Sequence, residues 1–176
     1  ALRDFEPGGR DAPAGGPAVR VESPGETDRR LLTTASVADI RREPGHASEL
    51  LTQAIMGESL VPIVRRGDWY LVVLQRGYHG WVRSWHVRET LAEAIAEWRE
   101  RATKRVAAAV AYVRSEPSVH SLPVSDVTAG TWVVPGPVEA GWREVEIVGG
   151  RRGFVEESAL EDPPAGPPSR QAIVSR

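Results

Sequence analysis

The chain has 176 residues, 41% of them hydrophobic, enough for one ordinary domain or two small ones with compact cores. Its 22 basic and 24 acidic residues leave a formal net charge of −2, so it lacks the polycationic footprint that suits nucleic acid or an anionic membrane surface. There is no cysteine, which excludes disulfides, thiolate zinc sites and a thiol nucleophile within this chain.

Residues 1–30 are dominated by Gly, Pro, Ala and charged side chains, which cannot bury enough surface to offset the entropy of ordering. A flexible lead-in is expected there. Its start, "ALRDFEPGGRDAPAGG", has neither the charged opening nor the apolar core of a signal peptide. No run approaches the roughly eighteen apolar residues of a membrane span, so no membrane insertion is expected. The missing initiator methionine fits a processed chain or a piece of a longer one.

From Leu31 the texture becomes short apolar runs cut by turn residues: "SVADIRREP", "LLTQAIMGESLVPIVRRG", "WYLVVLQRG" and "GWVRSWHV". Trp69, Leu71 and Val73 alternate with Tyr70, Val72 and Leu74 as in a strand, and Gly or Pro separates the runs. Between Thr90 and Arg105 the period changes. "TLAEAIAEWRERATKR" places Leu91, Ile95, Trp98 and Ala102 on one stripe, with Thr90 and Glu93 spaced as a capping box. An amphipathic helix of about four turns is expected, packed on a barrel. The far end, "EDPPAGPPSR", reads as a Pro-rich linker and is followed by "QAIVSR".

When Val37 is slid onto Val110, two halves align without a gap: "VADIRREP" on "VAYVRSEP", Gly57 on Gly130, Trp69 on Trp142. Gly77, Gly80, Trp81 and Val82 then fall on Gly150, Gly153, Phe154 and Val155. Self-similarity in register sets the architecture. Each half is expected to be a barrel of five or six strands, with a Pro-marked loop at Pro44 or Pro117 and a tight hairpin at "GYHG" or "GRRG".

These motifs carry a resemblance. V-A-x-I-R-x-x-P, then "SELLTQAIMGE", G-D-W with alternating apolar residues, and Y-x-G-W-V resemble the bacterial SH3-like domains that precede NlpC-type cell-wall cysteine peptidases. The resemblance holds especially for the gamma-D-glutamyl-diamino-acid endopeptidases, also called dipeptidyl-peptidase VI. "AYVRSEP" with "GWREVEIVGGRRGFV" is similar to the second such domain, and the two together span roughly Leu31 to Leu160. "QAIVSR" is similar to the opening of the peptidase domain, whose cysteine this chain lacks.

The resemblance implies a mostly β chain of two small SH3-like barrels joined by one amphipathic helix, with flexible terminal segments. Its expected parts are a lead-in at 1–30, a first barrel at 31–88, a linker helix at 89–106, a second barrel at 107–161 and a Pro-rich linker at 162–176. The implied function is non-catalytic: recognising peptidoglycan stem peptide and shaping the substrate site beside a C-terminal cysteine peptidase domain. Relatives of this kind work both at the envelope and inside the cell in wall recycling.

In that family the tyrosine of Y-x-G-W helps recognise the free N-terminal end of the wall peptide, and the matching residue is Tyr78. A tip tyrosine can offer its hydroxyl to an amine or carbonyl while its ring packs on the stem; the alternative is a half-buried barrel aromatic without a ligand. Trp81, facing Phe154 in the repeat, is either a binding residue or a core residue, with core favoured. Trp69 and Trp142 are expected in the core. Trp85 faces Ser158, so it is particular to the first copy and is a candidate to share a cleft face with Tyr78; the alternative, plain packing, is favoured. Arg151 takes the place of Tyr78 in the second copy, where it and Arg152 either hold an anion or form a solvated hairpin tip.

His46, His79, His86 and His120 show no metal-ligand spacing, and no nucleophile or phosphate-loop motif is present, so no catalytic residue, metal or cofactor is assigned. The rival class is a protein-interaction module whose barrels dock a partner protein or Pro-rich segment.

Overall fold

The structure, a computed structural model, describes residues 29–75 and 77–163. The expected lead-in up to residue 28, most of the Pro-rich linker and "QAIVSR" lie outside the described residues.

The first half contains β1 (Arg29–Thr33), β2 (Val37–Arg41), β3 (Leu50–Ile55), β4 (Ser59–Arg66), β5 (Trp69–Val73), β6 (His79–Arg83) and β7 (Val87–Leu91). One helix follows, α1 (Ala92–Arg101). The second half contains β8 (Lys104–Val106), β9 (Val110–Arg114), β10 (Pro123–Thr128), β11 (Trp132–Glu139), β12 (Trp142–Ile147), β13 (Arg151–Glu156) and β14 (Leu160–Glu161). The first sheet runs β3-β2-β6-β5-β4-β1-β7 and the second β10-β9-β13-β12-β11-β8-β14, the same order term by term. The internal repeat is therefore a repeated antiparallel barrel, and the chain is mostly β with one helix between its halves.

Each half has seven strands where five or six were expected. The extra pairing comes from strands at the expected boundaries. Arg29 and Arg30, placed in the lead-in, belong to β1, which pairs with β4 on one side and β7 on the other. Lys104 and Arg105, placed in the linker helix, belong to β8, which does the same with β11 and β14. The helix is correspondingly shorter, 10 residues, and has no capping box. Thr90 is held in β7 opposite Arg30, so the helix begins after Leu91, which makes no side-chain cap. Ile95, Trp98 and Ala102 bury as the stripe predicts, whereas Leu91 stays exposed at the end of its strand.

Two cores result. The first barrel closes around Leu31, Ile40, Leu60, Tyr70, Val72 and Val82. The second barrel's core, around Val113, Val133, Val145 and Val155, also takes in Ile95 and Trp98 of α1 and Leu32 and Met56 of the first barrel. Trp98 is the keystone of that shared core: its ring packs over Gly57, which has φ 87° and where a Cβ would come 3.0 Å from Cη2, and it reaches Val148. Glycine is needed there on both counts. Ser36 Oγ donates to Asp126 Oδ2 at 2.6 Å across the same junction. The barrels are thus joined by packing as well as by the chain.

A second glycine has a purely steric role. At Gly80 a Cβ would lie 2.6 Å from Ile40 Cγ2 and 2.9 Å from the Arg41 carbonyl, because β6 crosses β2 there. Gly153 meets the same crossing in the second barrel, against Val113 and Arg114. The second glycine of each "G-x-x-G" is thus set by strand approach.

Candidate functional site

Alternation along β5 and β6 sends Tyr70, Val72 and Val82 into the first core and leaves Trp69, Trp81 and Arg83 on the opposite face. The expectation that Trp81 is core is therefore corrected. It is half-buried between the inward Gly80 and Val82, with the Arg66 guanidinium 5.5 Å from its ring centroid. Trp69 is buried, yet by side chains outside the barrel core: the His46 ring lies edge-on at 5.5 Å and the Arg83 guanidinium at 4.7 Å. Trp142 is half-buried, since Val119 stands where the first copy has His46 and Glu156 where it has Arg83.

Arg83 is the centre of this face. Its guanidinium carbon lies 3.7 Å from the Trp85 ring centroid while it also covers Trp69, it bonds the His46 imidazole, and Asp68 stands 3.7 Å away. The loop carrying His46 is fixed by Arg41, whose Nη1 donates to the carbonyls of His46 at 2.9 Å and Ser48 at 2.7 Å. Arg114 repeats the latter bond to Ser121. Behind Trp85, burial pushes the His86 imidazole below its ordinary value; Asp39 opposes this, and Arg83 and His46 add to it. Asp39 is itself held below the usual carboxylate range by hydrogen bonds from Gln53 and Arg41.

Trp85 sits in the short 3-10 turn Ser84–His86 after β6 and is 58% exposed. It lines a groove of about 400 Å³ between the barrels. Tyr78 stands in the hairpin between β5 and β6, where its carbonyl accepts from the Leu74 N–H at 2.8 Å. Its side chain is 60% exposed and lines a different groove, about 390 Å³, with Leu51, Gln53, Glu58 and Leu74. The two aromatics expected to share one cleft face thus line separate concavities. Trp81 lines neither.

Arg83 and His46 were missed by the sequence reading. The signal was present: both are replaced in the second copy, the criterion that singled out Trp85. Arg151 is also more than a solvated tip, because its Nη2 donates to the Thr34 carbonyl of the first barrel at 3.3 Å. Arg152 pairs with Glu146 at 3.0 Å.

Two barrels of one strand order, the first with an aromatic hairpin at Tyr78, give the chain an SH3-like fold. Residues 40–87, most of the first barrel, match the family model described as the bacterial dipeptidyl-peptidase Sh3 domain. Among solved structures, an NlpC/P60 family protein from Bacillus cereus matches with a TM-score of 0.61 at 15% identity, covering 76% of this chain and 56% of that one. A further NlpC/P60 endopeptidase, from Photobacterium damselae subsp. piscicida, matches with a TM-score of 0.49 at 14% identity, covering 76% of this chain and 33% of that one. No curated protein matches the chain. The chain therefore spans little more than half the length of the Bacillus protein, and the likeness is one of fold. It contains no cysteine, and the part of a dipeptidyl-peptidase that its family model describes is the SH3 domain.

Proposed function

We propose that this chain is the non-catalytic, wall-recognising region of an NlpC-type cysteine peptidase, binding peptidoglycan stem peptide and shaping its site beside a C-terminal peptidase domain. The observation that carries this reading is Tyr78, exposed on the hairpin of the barrel that matches the dipeptidyl-peptidase domain and standing at the edge of an open groove. Its hydroxyl is an acceptor and donor suited to a peptide's free amine, and Glu58 in the same groove adds a carboxylate. Trp85 and the Arg83 stack beside it supply a second aromatic surface, with Trp81 and Arg66 flanking it. Co-sedimentation of the full chain with purified peptidoglycan sacculi tests this. Wild type should pellet with them, and Tyr78→Ala should lose most of that binding while keeping its fold; equal pelleting of the two would show that Tyr78 takes no part in binding.

A second reading has one observation in its favour. The second barrel carries a groove of about 300 Å³ lined by Tyr112, Trp142, Arg114 and Glu156, aromatic and mixed in charge, which suits a partner protein segment. Retention of a defined Pro-rich peptide that is lost in Tyr112→Ala would support it.

A further inference from the structure

We infer that the groove between the two barrels, walled by Trp85 and flanked by Arg88 and Arg151, is a binding site for an oxyanion, either carboxylate or phosphate. The ligand would carry that group next to an apolar face that lies on Trp85. The site makes no use of Tyr78 and stands apart from the recognition of a free amine.

Three observations converge. First, the groove of about 400 Å³ is lined by both arginines and by no acidic side chain among the described residues. Arg151 reaches it from the tip of β13 and touches the Thr34 carbonyl at 3.3 Å. Arg88 reaches it from β7, with Nη1 3.9 Å from where a Cβ on Gly149 would stand. Second, neither guanidinium has a carboxylate partner among the described residues. The chain as a whole is slightly acidic, so two unpaired cations in one groove are not a by-product of a basic surface.

Third, the repeat sets these two positions apart. In the second barrel the position matching Arg88 is Glu161, which sits opposite Arg105 and binds it. In the first barrel Arg88 sits opposite Leu32, so no such ion pair forms there and the guanidinium has no carboxylate partner among the described residues. Arg151 in turn replaces the repeat's tyrosine. Both substitutions place positive charge on the same inter-barrel groove from opposite sides. A fork of guanidinium donors recognises planar carboxylate or tetrahedral phosphate through paired, charge-assisted hydrogen bonds.

The full chain, 15N-labelled, is titrated with two probes: a γ-D-glutamyl dipeptide blocked at its amine, and glycerol 3-phosphate. The Trp85 indole and Gly149 amide resonances report on the groove. At least one probe should shift both saturably and bind more weakly as salt is raised. Arg88→Gln and Arg151→Gln should each weaken that binding by about tenfold, Arg88→Lys should retain part of it, and Tyr78→Ala should leave it unchanged. A response to the dipeptide alone assigns the groove to peptide carboxylates; a response to the phosphate alone assigns it to phosphate-bearing polymers. The proposal is overturned if neither probe moves Gly149, or if the shifts survive in the folded Arg88→Gln, Arg151→Gln double variant.

Discussion

The Arg83 guanidinium lies 3.7 Å from the Trp85 ring centroid, and the same side chain covers Trp69. One arginine thereby ties an exposed aromatic to a buried one. Arg83→Ala should cost about 1–2 kcal/mol, through lost cation–π contact and lost cover of the Trp69 ring. Trp85→Ala should cost less than about 1 kcal/mol, because most of that ring already faces solvent. Urea denaturation of the two variants checks the order; a larger loss for Trp85→Ala would mean that Trp85 is chiefly a packing residue.

Gly80→Ala should destabilise the chain by about 1–3 kcal/mol, since the added methyl meets Ile40 and the Arg41 backbone at a strand crossing that cannot widen without shifting both. Gly45→Ala, in open space on the loop after β2, should change stability by no more than about 0.5 kcal/mol. Thermal melts of this pair separate steric demand from general loss of glycine.

Trp98→Ala should cost about 3–5 kcal/mol, as expected for an aromatic truncated in a packed core. Because that core includes Leu32 and Met56 of the first barrel, the variant should also unfold in two steps where wild type unfolds in one. Calorimetry distinguishes these outcomes, and a single transition in the variant would show that the barrels are coupled elsewhere.

The pH dependence has a definite sign. His86 has a folded-state pKa below its unfolded value, chiefly from burial, so the unfolded chain binds the proton more readily. The stability it leaves intact above about pH 6.5 is lost as pH falls through the lower folded value. Melting temperature should therefore drop between neutral pH and pH about 5, and His86→Asn should flatten that part of the profile. An unchanged slope in the variant would assign the loss to other groups.

Much of the fold was legible because two copies of one pattern lie in register: Gly57 with Gly130, and Gly80 with Gly153, mark turns and crossings that no side chain can occupy. What the pattern hid was pairing over distance. Arg29 and Lys104 look like linker, and only the sheet reveals that β1 and β8 each bridge two neighbours. The aromatic stretch "GDWYLVV" was half legible. Alternation assigns Tyr70 and Val72 to the core, but Trp69 is buried by His46 and Arg83, which come from a distant loop and the next strand. Tyr78 and Trp85 looked like partners because both are particular to the first copy. The 3-10 turn after β6 directs Trp85 towards the second barrel, while the hairpin keeps Tyr78 beside β3.

In the proposed function, the first barrel recognises a stem peptide through its free amine at Tyr78. The most direct measurement is an NMR titration of the full chain with a γ-D-glutamyl–diamino-acid stem peptide, run beside the same peptide acetylated at its N-terminus. Saturable shifts are expected at Tyr78 and its groove neighbours Leu51 and Leu74 with the free amine, and they should be lost on acetylation or in Tyr78→Ala. Equal response to both peptides, or none at Tyr78 with either, would contradict it.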